Sequence, residues 1–223
     1  FGLEVGTAWG MTETSPLGTV SVLKPQMRSL SKEEQYGFRT KQGMAAPLVD
    51  IRLIGDEGEV PWDGSSVGEI QVRGPWVTGG YHDLPLNESS FTADGWLRTG
   101  DVGCIDSEGF LRLTDRTKDL IKSGGEWISS VDLENAVMGH PAVLEASVIA
   151  VPHPRWAERP LAVVVLRPGM RATGEEIRDH LAKTFAKWQL PEGFAFVNEI
   201  PRTSTGKFLK TKLREMYKDW KWE

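Results

Sequence analysis

The chain has 223 residues, enough for one large domain or two small ones, and 39% hydrophobic against 26% charged residues is ordinary globular composition. That excludes a disordered, collagenous or membrane-embedded chain, and apolar runs such as Leu161 to Leu166 fall far short of the roughly 20 residues that span a bilayer. Thirty-one acids against 26 bases leave a net charge of −5, which removes any overall field that would gather nucleic acid. Cys104 has no internal disulfide partner. The four histidines His82, His140, His153 and His180 lack the spacing of a metal site, and a reducing, cytoplasmic setting fits.

The first residues, Phe1-Gly2-Leu3-Glu4-Val5, read as the end of an apolar strand, without the basic start of a signal peptide, so the chain is expected to begin inside a larger protein. A strand followed by a loop is expected over residues 1–19, where Pro16 discourages helix at Ser15. Ser31 has the position of a helix cap before Lys32-Glu33-Glu34. From Val49 to Asp115 short strand candidates stand between Gly, Pro and Asp turns: Ile51–Ile54, Glu69–Arg73, Trp96–Arg98 and Phe110–Leu113. Their spacing predicts a small antiparallel sheet or barrel.

Beyond Arg116 helix and strand alternate. Ser129 or Ser130 caps a helix carrying Leu133, Ala136 and Val137, closed by His140-Pro141. Ala146–Val151 and Leu161–Leu166 read as buried strands, and Thr173-Gly174-Glu175-Glu176 is a capping box opening a helix with Ile177, Leu181 and Phe185. Phe194–Val197 is a further strand, and Phe208–Trp220 a basic amphipathic helix with Leu209, Leu213, Met216 and Trp220 on one side. The fold class expected is α+β, with a β-rich segment 1–115 and a small α+β domain 116–223.

Four polar clusters could carry chemistry. Thr12-Glu13-Thr14-Ser15 follows a strand, where hydroxyls and amides can hold phosphate and a carboxylate can take Mg²⁺, although the same residues make ordinary turns. Asp101, read as ending the strand Leu97-Arg98-Thr99-Gly100-Asp101, can accept ribose hydroxyls or merely cap a turn. In Asp115–Ser130 the pair Gly124-Gly125 allows close backbone approach to a ligand or positive φ in a charged hairpin. Pro201-Arg202-Thr203-Ser204-Thr205-Gly206-Lys207 places a lysine before a helix, but Pro201 stands where a Walker loop needs glycine. Taken singly, Lys207 and the basic run Arg202, Lys207, Lys210, Lys212, Arg214, Lys218 and Lys221 read as solvated surface, although the run could also receive phosphates.

In their order, Trp9-Gly10-Met11-Thr12-Glu13-Thr14, Arg98-Thr99-Gly100-Asp101, Asp115-Arg116-Thr117-Lys118-Asp119 and the segment ending at Lys207 closely resemble the C-terminal portion of the adenylate-forming superfamily. Within it the match is best to medium-chain and long-chain fatty acyl-CoA synthetases, through Leu120–Ser130. The family's phosphate loop and acyl pocket lie upstream of the first motif found here. The resemblance implies an acid-thiol ligase that joins a carboxylic acid, here a fatty acid, to ATP and passes the acyl group from AMP to coenzyme A. It implies an adenine face on Trp9, phosphate contact by Thr12, Mg²⁺ on Glu13, and ribose contacts by Asp101 and Arg116. Lys207 would be the cation of adenylation and Lys118 the hinge. Gly124 and Gly125 would line the CoA path, with Lys122 and Trp127 near the adenylate; Trp127 reads equally as a core residue. An acyl-AMP ligase, a carrier-loading adenylation domain and a non-catalytic stand-alone fragment are the rival readings, and an oligomer is compatible with all of them.

Overall fold

A computed structural model describes residues 3, 5–82, 84–204 and 206–222. The chain divides into two compact units, Phe1–Thr117 and Lys118–Glu223. The first unit runs two residues past the break read from the sequence because Arg116 still pairs with Asp101 and the Thr117 N–H still donates to the Gly100 carbonyl at 2.9 Å.

In the first unit, β1 (Ala8–Trp9), β2 (Thr19–Val20) and β3 (Met44–Ala45) form a small sheet in that order. The strand expected at the start is absent at Leu3 and Val5, which are exposed; Phe1, Gly2 and Glu4 lie outside the described residues. Helix α1 (Lys32–Arg39) begins at Ser31, whose hydroxyl accepts from the Glu34 N–H while the Glu34 carboxylate reaches back. The strand candidates become β4 (Asp50–Gly55), β6 (Gly68–Arg73), β7 (Leu97–Ile105) and β8 (Leu111–Arg116), joined by a short β5 (Gly58–Glu59). All pair antiparallel in the open order β5-β4-β6-β7-β8. Leu53, Ile70, Val72, Leu97, Ile105 and Leu111 are buried together on this sheet, each worth about 1.5–3 kcal/mol of transfer free energy. Two expectations need correction. Asp101 lies inside β7, because apolar Val102–Ile105 continue the strand past it, and a helix, α2 (Leu84–Ser90), interrupts the stretch read as strands only.

In the second unit a hairpin of β9 (Ile121–Ser123) and β10 (Glu126–Ile128) leads into α3 (Ser130–Met138), capped by the Ser129 hydroxyl. Strand β11 (Val143–His153) runs antiparallel to β12 (Ala157–Leu166); helix α4 (Gly174–Leu181) follows, and β13 (Gly193–Phe196) returns parallel to β12. The apolar run in β12 has a physical reason: it is covered on both faces. Ala162 and Val164 join Leu133, Val137, Ile177 and Leu181, whereas Leu161, Val163 and Val165 join Ala195, Ile200 and Leu213. The last helix differs from expectation. Helix α5 spans only Lys210–Met216; Leu213 is buried, Met216 is 55% exposed, and the aromatic contacts come from Tyr217, Trp220 and Trp222 after the helix has ended.

Candidate functional site

Polar clusters form separately in the two units. In the first, Trp9 is held at the end of β1 by close packing: a β-carbon on Gly18 would lie 2.4 Å from its ring, so only glycine fits opposite it. Trp9 is 5% exposed, so the face expected to meet adenine is largely covered here, and the polar edge of the ring is turned to Asp101. The indole Nε1 donates to Asp101 Oδ2 at 2.8 Å, and Arg116 Nε lies 3.3 Å from Asp101 Oδ1. Asp101 and Arg116 are cross-strand partners on β7 and β8. Both carboxylate oxygens thus have a donor, each retaining lone-pair capacity for a further hydroxyl.

One turn of 3₁₀ helix, Thr12–Thr14, follows β1. Buried Thr14 holds it by accepting from the Met11 N–H, its single hydroxyl proton lying within reach of the Met11 and Pro16 carbonyls at 3.0 and 2.8 Å. That leaves Thr12 exposed, its hydroxyl without a partner among the described residues. Glu13 is half-buried; its Oε1 accepts the Tyr81 hydroxyl at 2.8 Å, and burial followed by this acidic partner pushes the Tyr81 phenol up to about 12. Among the described residues no three His, Cys, Asp or Glu side chains gather to hold a metal. A lone carboxylate suits Mg²⁺, which commonly takes one or two protein carboxylates and completes its shell with phosphate oxygens and water.

In the second unit Gly124 and Gly125 form the two-residue turn between β9 and β10 with φ of +61° and +90°, the left-handed pair that a twisted hairpin demands. A β-carbon on Gly125 would meet nothing within 4 Å, so backbone conformation, within this unit, is the reason for glycine there. Lys122 and Trp127 face each other across the hairpin, the ammonium 5.0 Å from the ring centre. Trp127 is half-buried. The Gly124 N–H donates to the Trp156 carbonyl, and a β-carbon placed on Gly124 would lie 3.1 Å from the Trp156 ring. Beside it a groove of about 810 Å³ is lined by Trp156, Phe185 and Trp188, with the bases Arg159, Arg178 and Lys187 balanced by the acids Glu126, Asp179 and Glu192. Sequence reading missed Trp156 and Trp188, as it missed Tyr81; an exposed indole carries no local pattern.

Lys118 opens the second unit, exposed, with its carbonyl held by Arg214 Nη2 at 3.0 Å. Lys207 precedes α5 on an exposed loop, its ammonium without a partner among the described residues; Thr205 of that segment lies outside them. No helix among the described residues is long and apolar enough to cross a membrane.

Comparison with known proteins gives two family matches, AMP-binding enzyme over residues 1–82 and AMP-binding enzyme C-terminal domain over residues 132–207. The chain is 55% identical to a long-chain-fatty-acid–CoA ligase of Thermus thermophilus and 45% identical to a medium-chain-fatty-acid–CoA ligase of Ectopseudomonas oleovorans, over 98% of its own length. It spans 41% and 40% of those relatives. Among solved structures, ATP-bound MatB from Rhodopseudomonas palustris matches with a TM-score of 0.79 at 34% identity, covering 94% of this chain and 40% of that one. MenE from Bacillus subtilis in complex with the acyl-adenylate OSB-AMP also matches at 0.79, with 33% identity, covering 93% and 40%. The α+β units, the ordered motifs and these relatives together establish that the chain belongs to the AMP-binding, adenylate-forming enzyme family.

Proposed function

We propose that the protein containing this chain is an ATP-dependent fatty acyl-CoA synthetase, which forms acyl-AMP and pyrophosphate and then the CoA thioester and AMP. The carrying observation is the Asp101 carboxylate fixed by Trp9 and Arg116, in a chain 55% and 45% identical to fatty-acid–CoA ligases. Asp101 accepts the ribose hydroxyls, with Arg116 beside the same sugar. Trp9 orients the carboxylate through Nε1, and its indole edge borders the adenine. Thr12 donates its free hydroxyl to the α-phosphate region. Glu13 is the residue that would hold Mg²⁺, which when bound neutralises phosphate charge. Tyr81 keeps the Glu13 carboxylate oriented by occupying one of its oxygens.

Lys207 brings a cation to the charge that develops between the fatty carboxylate and the α-phosphate. Donors and cations already in place there lower the barrier because they need no reorganisation during the step. Lys118 is the hinge between the half-reactions, and Gly124-Gly125 borders the path of the CoA thiol, with Lys122 and Trp127 alongside.

The test is Lys207→Ala in the full-length enzyme. Acid-dependent pyrophosphate exchange should fall about 10²–10³-fold, the loss typical of one transition-state contact, while supplied acyl-AMP and CoA should still give thioester. Equal loss of both half-reactions would assign Lys207 to structure instead.

A further inference from the structure

Lys207 is a long, exposed side chain on a loop, and a charge that must arrive at one point needs its backbone held. The loop has that support. The Thr203 N–H donates to the Lys207 carbonyl at 2.8 Å, the Gly206 N–H returns to the Thr203 carbonyl at 2.9 Å, and the Lys207 N–H reaches Thr203 Oγ1 at 3.2 Å. One side chain spans this turn. Arg202 Nη1 donates to the Gly206 carbonyl at 2.7 Å, its Nη2 to Glu145 Oε1 on β11 at 2.6 Å, and its guanidinium lies 4.6 Å from the Phe208 ring centre.

Immediately beyond, Lys210 Nζ sits 2.8 Å from the buried Glu134 carboxylate and donates to Ser130 Oγ at 2.6 Å. Glu134 also accepts from Ser147 Oγ and the Val148 N–H, so the start of α5 is fixed to α3 and β11. Lys207 therefore stands between two anchors. They differ in kind: the Lys210 pair is enclosed, whereas Arg202 and Glu145 keep 42% and 31% of their side-chain surface exposed. An ion pair so exposed adds little to stability, so stability does not explain a two-pronged arginine there. Geometry does, because a planar guanidinium fixes the direction of the Gly206 carbonyl, one residue before Lys207, relative to β11.

We infer that Arg202, braced by Glu145, is a positioning residue for adenylation that sets where the Lys207 ammonium can reach. The inference rests on the proposed role of Lys207. A lysine or methionine at 202 leaves the loop's charge or bulk but cannot hold both Gly206 and Glu145.

In the full-length enzyme, Arg202→Met should slow pyrophosphate exchange about 10-fold or more, with KM for ATP unchanged, because misplacing a catalytic group by an ångström costs up to about 10²-fold. Thioester formation from supplied acyl-AMP should change less than about twofold by the same reasoning, since only the placing of Lys207 is altered. Arg202→Lys should fall between Met and the native residue. The exchanged pair Arg202→Glu with Glu145→Arg restores an ion pair but no donor to Gly206, and should stay as slow as Arg202→Met.

Unchanged adenylation in Arg202→Met, equal loss in both half-reactions, or recovery by the exchanged pair would each overturn the inference. Lys207→Ala in parallel separates the causes: if it too leaves adenylation intact, the role of Lys207 falls and the inference with it; if it abolishes adenylation while Arg202→Met does not, only Arg202 is misassigned. Amide hydrogen exchange at Gly206 and Lys207 in the 223-residue chain gives a readout independent of activity, faster in Arg202→Met if the clamp holds the loop.

Discussion

The Glu13 carboxylate has one oxygen engaged by the Tyr81 phenol, which leaves the other for a cation and makes the tyrosine a reporter of the acid's state. Burial and the acidic partner raise the phenol from 10.0 to about 12, so the fold favours its neutral form. The associated stabilisation is fully present below pH 10 and is lost as pH rises from 10 to 12. In a tyrosinate absorbance titration, Tyr81→Phe should delete a transition near 12, and Glu13→Gln should lower that transition toward 10 without reaching it, because burial remains. A transition unmoved by Glu13→Gln would mean that the carboxylate is not the partner. Ala157 is a second instructive residue, since at φ +66° its β-carbon crowds the following carbonyl, at a cost of roughly 1–2 kcal/mol. Ala157→Gly relieves that crowding and gives back part of it as unfolded-chain entropy. Denaturant unfolding should show a gain between zero and about 1 kcal/mol at constant slope, whereas Ala157→Val should be destabilised.

Elements were legible in the sequence where their cause is local. The capping boxes at Ser31 and Thr173 and the positive-φ glycine pair of the β9–β10 hairpin depend on neighbours within four residues, and each stands where the pattern predicts it. Long-range polar contacts were not legible. Arg159 at the start of β12 carries no local signal in sequence, yet it is 4% exposed, and its guanidinium reaches Ser123 Oγ and the Trp188 and Leu190 carbonyls, 29 to 36 residues away, besides Glu192. The contact between Trp9 and Asp101 spans 92 residues and is equally silent. Arg159→Met would leave the Ser123, Trp188 and Leu190 acceptors without this donor, a loss on the order of 3 kcal/mol. Arg159→Lys should recover only part, since one ammonium cannot span them. Hydrogen exchange in β9 and β10 should accelerate with the loss, and unchanged protection would show that the hairpin does not depend on this arginine.

At the scale of the molecule, each unit has its own core, so the boundary can be tested for mobility without damaging either. Lys118 is the position to choose. Among the described residues its N–H donates to no acceptor, and its carbonyl, which a proline retains, accepts from Arg214. Lys118→Pro therefore removes no hydrogen bond that the fold uses, while it fixes φ near −65° and pushes Thr117 toward extended conformations. Both units should unfold within about 0.5 kcal/mol of the parent, as for a surface change that touches no packed feature. If Lys118 is the hinge of the full-length enzyme, the same substitution should leave one half-reaction near its native rate and slow the other. Adenylation should persist while transfer to CoA falls, the opposite defect from Lys207→Ala, because conformational steps can limit turnover without altering the chemistry they separate. Single-turnover measurement of each half-reaction is decisive. Native rates in both would move the hinge away from Lys118, and a parallel fall with lowered stability would mean that the residue supports the second unit's fold.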